Sequence, residues 1–174
     1  MYLFFLYKKP VLGPIDPSSL GVTLCHEHLY HKAYSCTFVP IPKLNRYSAL
    51  NETKVKTTNL WYTNYHPYSH EDNLDFSSNE LVDTITSELK FYKENGGDTV
   101  VEVTTHGSNP EQLVHMSRHS GINIVCNTGF YIKGAYFDRN ASITDRSIES
   151  LHNEMLDHIL NGIHGIRPGV IGKK

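Results

Sequence analysis

Cysteine is scarce in this sequence. Its 174 residues include three, Cys25, Cys36 and Cys126, and no two of them form a Cys-x-x-Cys pair. An odd, sparse set suits a reducing compartment better than a disulfide framework, so a cytoplasmic location is expected. Positive charge is not in excess: 16 Lys and Arg stand against 18 Asp and Glu, and nothing favours nucleic acid as a partner. Long apolar runs are missing as well. The N-terminal Met1-Tyr2-Leu3-Phe4-Phe5-Leu6-Tyr7 is far shorter than the roughly 20 residues that span a bilayer. Its charges, Lys8 and Lys9, follow the apolar run, whereas a signal peptide carries them ahead of it. No membrane partner is expected, and residues 1–10 read as a short strand or, as we take them, an irregular leader outside the fold. No Gly-x-Gly-x-x-Gly string follows any predicted strand, which weakens a dinucleotide-binding reading.

What remains is an ordinary globular composition, 39% hydrophobic and 20% charged, long enough for a real core. Eleven histidines are many for this length. Two of them sit in Gly21-Val22-Thr23-Leu24-Cys25-His26-Glu27-His28-Leu29, which reads as a strand ending in a His-x-His pair. Residues i and i+2 of a strand share a face, so His26 and His28 project together and Glu27 faces away. Two neutral imidazoles side by side are half of a divalent metal site. The plainer alternative is a pair of polar residues closing a strand at the surface. Cys25 beside His26 suggests a nucleophile and its base, but adjacent strand residues face opposite ways.

Val11-Leu12-Gly13-Pro14-Ile15 has the composition of a short strand, and the strand from Gly21 to His28 follows. Residues 29–77 show little periodicity and many aromatics, with a short helix predicted near Val55–Tyr65 and regular structure broken at Pro40 and Pro42. Ser77-Ser78-Asn79-Glu80 has capping-box spacing, Leu81, Ile85, Leu89 and Tyr92 share a helical face, and Asn95-Gly96-Gly97 supplies a stop. Asp98–Thr105 reads as a second strand. Asn109-Pro110 opens a helix that runs to Gly121, Ile122–Gly129 is a third strand, Asp145–Leu160 a helix, and Gly169–Lys173 begins a fourth strand. Strands alternating with helices indicate βαβ units and a parallel sheet, either a barrel or doubly wound.

The string Leu20-Gly21-Val22-Thr23-Leu24-Cys25-His26-Glu27-His28-Leu29 resembles the first signature of the phosphotriesterase family of amidohydrolase-type metal-dependent hydrolases, and its animal phosphotriesterase-related branch most closely. Asn59-Leu60-Trp61-Tyr62, Tyr68-Ser69-His70-Glu71-Asp72-Asn73-Leu74, Asn95-Gly96-Gly97, Asn127-Thr128-Gly129-Phe130-Tyr131 and Gly169-Val170-Ile171-Gly172 extend the resemblance in the same order along the chain. It implies a (β/α)8 TIM-type barrel, of which residues 11–174 would be the N-terminal half, about four strands. A complete barrel needs about 250 residues, so the chain is expected to be truncated and inactive alone.

The resemblance further implies that His26 and His28 bind one of two divalent metals, zinc by type, in a complete site. The bridging ligand at the end of strand four is a carboxylated lysine or a glutamate. Lys173 falls at that position, where the animal branch carries glutamate, so Lys173 is read as an effect of the chain ending rather than as a carbamate. The implied reaction uses a metal-bound hydroxide on a small-molecule substrate, an N-acylated amino compound typified by N-acetyltaurine, or an ester. The competing reading is a non-catalytic fragment or interaction product of the same gene. No catalytic residue outside the metal ligands is assigned.

Other histidines have plainer expectations. His115 and His119 share a helical face that reads as solvent-exposed, and His31 falls in the loop beyond the pair. His66 and His70 lie in the aromatic stretch, which either lines a substrate pocket or merely covers the barrel mouth. Glu102, inside the second strand, either supports a metal-bound histidine from the interior or meets water at the strand end.

Overall fold

Alternating strands and helices build this computed structural model, which describes residues 4–5, 10–32, 38–43, 45–131, 143 and 145–172. The strands are β1 (Phe4–Phe5), β2 (Thr23–Glu27), β3 (Thr99–Glu102), β4 (Asn123–Val125), β5 (Asn127–Thr128) and β6 (Val170–Ile171). The described α-helices are α1 (Leu60–Tyr65), α2 (Asn79–Glu94), α3 (Pro110–Ser120) and α4 (Ile148–Asn161). β2, β3 and β4 pair in parallel in that order, and β5 pairs in parallel with β6. The single third strand expected over Ile122–Gly129 is divided at Cys126, whose carbonyl accepts from Gly169 N at 2.9 Å, so the same segment serves β3 before it and β6 after it.

β3, the middle strand of the β2–β3–β4 sheet, is buried on both faces, as a parallel strand beneath helical crossovers requires, whereas β2 is exposed over residues 23–25. Alternation along β3 sends Val100 into a cluster with Ile124, Cys126, Leu113, Met116, Val82 and Leu89, the layer beneath α2 and α3. Val101 and Val103 enter the other cluster with Val125 and Val170. Leu113 and Met116 are fully buried, and each such side chain contributes about 1.5–3 kcal/mol. That burial sets α3 on the sheet more firmly than helix propensity does.

The helix ends follow local chemistry. Asn109 Oδ1 accepts from Glu111 N at 3.0 Å and Gln112 N at 3.2 Å, with Pro110 at the first helical position, and Gly121 closes α3 at φ 73°. The cap of α2 is Ser78, one residue later than the capping-box spacing predicts. Asp75 Oδ1 takes both the Ser77 N–H, at 2.8 Å, and the Ser77 hydroxyl, which leaves Ser78 Oγ to accept from Leu81 N. The helix expected near Val55–Tyr65 forms only over Leu60–Tyr65, because Asp72 and Asn59 side chains capture Val55 N at 2.8 Å and Lys56 N at 2.7 Å.

Two segments near the N-terminus differ from expectation. Val11–Ile15 is not a strand; Val11 turns inward and donates to Ile124 O at 2.7 Å. Phe4–Phe5, expected in a leader outside the fold, pair antiparallel with Val170–Ile171. The described part of the aromatic stretch buries Tyr62 fully and leaves Trp61, Tyr65 and Tyr68 exposed. It is tied to the strand ends through Phe76 N donating to His31 O at 2.7 Å.

Candidate metal centre

The ends of β2 and β3 hold the site together. Leu24 stands opposite Val100 but Glu27 stands opposite Glu102, so β2 carries one extra residue between them. Such a bulge re-aims side chains, commonly beside functional sites. After it, His26 and His28 stand together, ring centroids 5.4 Å apart and planes at 74°. His26 is half-buried and His28 exposed.

Three contacts hold the segment around His28. Its Nδ1 is 2.8 Å from Thr104 Oγ1. Val103 N donates to Glu27 O at 3.0 Å. Glu102 accepts the Leu29 N–H on Oε2 and the Thr104 N–H on Oε1, the latter at 2.6 Å. Glu102 is fully buried, and burial pushes its pKa above the usual range against the pull of those donors. Of the two expectations for Glu102, exposure at a strand end is overturned. The carboxyl points into the protein and serves the histidine strand through backbone amides and Thr104.

His31 lies 6.2 Å from the His28 ring and 6.2 Å from Phe76, and burial lowers its pKa. Lys173 lies outside the described residues, as does Cys36. Among the described residues, no group of three or more His, Cys, Asp or Glu is placed to hold a metal ion. His26 and His28 therefore suit a divalent metal by donor type and by their shared placement, and they supply two of the four or more donors such an ion takes.

A cavity of about 260 Å³ opens at the C-terminal ends of β3 and β5, and Thr104 is part of its wall. Opposite stand Asn127, Thr128 and His158, with Thr128 Oγ1 2.9 Å from His158 Nδ1. Arg146, paired with Glu154 at 2.5 Å, lies over the Phe130 ring on another wall. Sequence reasoning missed Thr104, Arg146 and His158. Arg146 and His158 lie in a segment whose sequence indicates only a helix, and a threonine beyond a strand end carries no signal until its partner histidine is placed beside it.

The remaining candidates separate cleanly. His115 and His119 are exposed, with His119 Nδ1 2.8 Å from His115 O, as expected of a solvated helix face. His70 is fully buried with its ring 6.0 Å from that of Tyr62, so it packs within the aromatic stretch rather than lining the cavity. Cys25 is exposed, while burial pushes the Cys126 thiol up to about 12.

With this geometry in hand, comparison with known proteins is specific. The phosphotriesterase family model matches residues 7–174. The N-acetyltaurine hydrolase of Rattus norvegicus is 35% identical over 95% of this chain and 46% of its own length. A phosphotriesterase-related protein of Nematostella vectensis is 32% identical over 95% of this chain and 47% of its own. Among solved structures, a resiniferatoxin-binding protein from Rhodobacter sphaeroides superposes with a TM-score of 0.80 at 27% identity, over 94% of this chain and 45% of that one. A mutant organophosphorus hydrolase from Deinococcus radiodurans gives 0.57 at 25% identity, over 92% of this chain and 41% of that one. The chain thus spans about half the length of the relatives it matches.

Proposed function

Because this chain belongs to the phosphotriesterase family, we propose that the protein is a divalent-metal-dependent hydrolase of small N-acylated amino compounds of the N-acetyltaurine kind, or of esters. The observation that carries the reading is the His26–His28 pair, 5.4 Å between ring centroids at the C-terminal end of the first parallel strand. That is the end at which barrels of this architecture place their active sites. His26 and His28 would hold the metal, zinc by donor type, with two ions in a complete site; Lys173 stands at the sequence position of the family's bridging ligand and is not read as a carbamate. A metal there would polarise the scissile carbonyl or phosphoryl group and acidify a water. The chain's own contribution is to hold the imidazoles together at the strand end, where Thr104, the hydrogen-bond partner of His28, is also part of the wall of a cavity sized for a small substrate. The fold itself does not select the substrate; the names of the relatives favour an amide. The sparse cysteines favour a cytoplasmic setting, and no described helix is long and apolar enough to cross a membrane.

The test is metal content together with turnover of N-acetyltaurine and of an aryl phosphotriester, measured on this chain beside the rat relative. Loss of zinc in His26→Ala and His28→Ala is expected. Unchanged zinc in both variants overturns the reading. A second reading, a non-catalytic interaction product, is favoured by the lack of a third donor beside the pair among the described residues. It predicts neither zinc nor turnover in this chain.

A further inference from the structure

We propose that the cleft between the loop at Arg46 and Tyr47 and the start of α1 binds a small anion that carries an aromatic ring. The cleft has a volume of about 480 Å³, and its walls include Arg46, Tyr47, Lys54, Lys56, Asn59 and Trp61. Small-molecule pockets run from about 300 to 1,000 Å³. None of its residues belongs to the cavity beside Thr104 or to the histidine pair, so the proposal stands whether or not that pair holds a metal. Two features of the wall select the ligand. The first is charge: three of its side chains are cationic and none is a carboxylate. Lys54 is paired with Asp72 at 2.5 Å. Among the described residues no ion pair engages Arg46 or Lys56, and both are exposed. A wall of one sign concentrates small ions of the other. The second is an aromatic corner. Tyr47 and Trp61 meet edge to face, ring centroids 5.0 Å apart and planes at 74°. The Arg46 guanidinium carbon lies 4.5 Å from the Tyr47 centroid, which holds that cation over the ring. Trp61 remains 42% exposed and offers a ligand's ring a surface to stack on. A bare phosphate would leave the indole unused, and an uncharged ring would leave the cations unused.

The cleft is fixed before any ligand arrives. Asn59 is buried; its Oδ1 accepts from Lys56 N at 2.7 Å and its Nδ2 donates to Lys54 O at 2.9 Å. Asp72 Oδ2 accepts from Val55 N at 2.8 Å. The bonds that deny residues 55–59 a helical start thus set Lys54 and Lys56 in the wall, with Val55 between them outside it. A wall held in advance loses little freedom on binding.

Trp61 is the one tryptophan of the chain, so tryptophan fluorescence reports on this cleft. The experiment titrates the whole chain, with EDTA present, with adenosine monophosphate, with adenosine and with inorganic phosphate, the last read by competition. Saturable quenching by the nucleotide is expected, with adenosine and phosphate each weaker by about tenfold or more. Arg46→Ala and Lys56→Ala, both at exposed positions, should each weaken nucleotide binding by about tenfold, and added salt should weaken it in the native chain. His26→Ala should leave it unchanged. No saturable quenching at millimolar nucleotide overturns the proposal. Adenosine as strong as the nucleotide removes the charge argument, phosphate as strong removes the aromatic one, and either overturns the proposal as well. Nucleotide binding that disappears in His26→Ala belongs to the histidine pair and overturns it too.

Discussion

Cys25 and Cys126 are opposite in chemistry. Cys25 is exposed on β2, while the Cys126 thiol is buried and shifted up to about 12. Since the thiolate is the reacting species, iodoacetamide should label Cys25 in the native chain within minutes and leave Cys126 untouched until denaturant is added, as peptide mapping would show. Gly21 is a second position where a single residue decides. Its φ is +54°, and a Cβ there would meet Asp98 Oδ2 at 2.0 Å. Gly21→Ala therefore combines backbone strain with a steric clash and should lower stability by about 1–3 kcal/mol, read from the midpoint of urea unfolding. Glycine was visible in the sequence at this position, but its reason was not, because Asp98 comes from 77 residues further along the chain.

Among the elements, the start of β2 and the start of β3 are tied by that same aspartate. Asp98 accepts from Lys93 Nζ at 2.8 Å and from Val22 N at 3.1 Å, and the lysine contact first, then the backbone amide, hold its carboxyl below the usual range. A carboxyl that is more acidic when folded stabilises the fold above its unfolded pKa, near pH 4, and loses that contribution as pH falls through the folded value. Asp98→Asn should therefore be less stable than the native chain at pH 6, with the difference closing as pH falls below about 4 in thermal melts. The elements themselves were largely legible. The Asn109-Pro110 start and Gly121 end of α3 and the parallel order of the strands all follow from local chemistry and periodicity. Shifts arose where a side chain distant in sequence or just outside the motif competed for a backbone amide, as Asp75 does at the start of α2 and Asp72 ahead of α1.

At the scale of the whole molecule, β2 stands at the end of its sheet among the described residues, with Val22 61% and Leu24 42% exposed. An apolar sheet edge is a template for another chain. Concentration-dependent self-association is expected in sedimentation, and Leu24→Lys should shift the population toward monomer. The placement of His26 beside His28 follows from their i, i+2 spacing, and their ring centroids lie 5.4 Å apart. The Glu102–Thr104 support does not follow from spacing, because it depends on a bulge that no residue type marks and on a register between segments about 75 residues apart. The division at Cys126 carries a further consequence for how the molecule opens. Asn123–Val125 are locked to β3 and Asn127–Thr128 to β6, so amide exchange should resolve two cooperative units that meet in the middle of one strand. The unit containing β6, with its two-residue partners, should exchange first, while the amides of β3 and β4 stay protected until the chain unfolds as a whole.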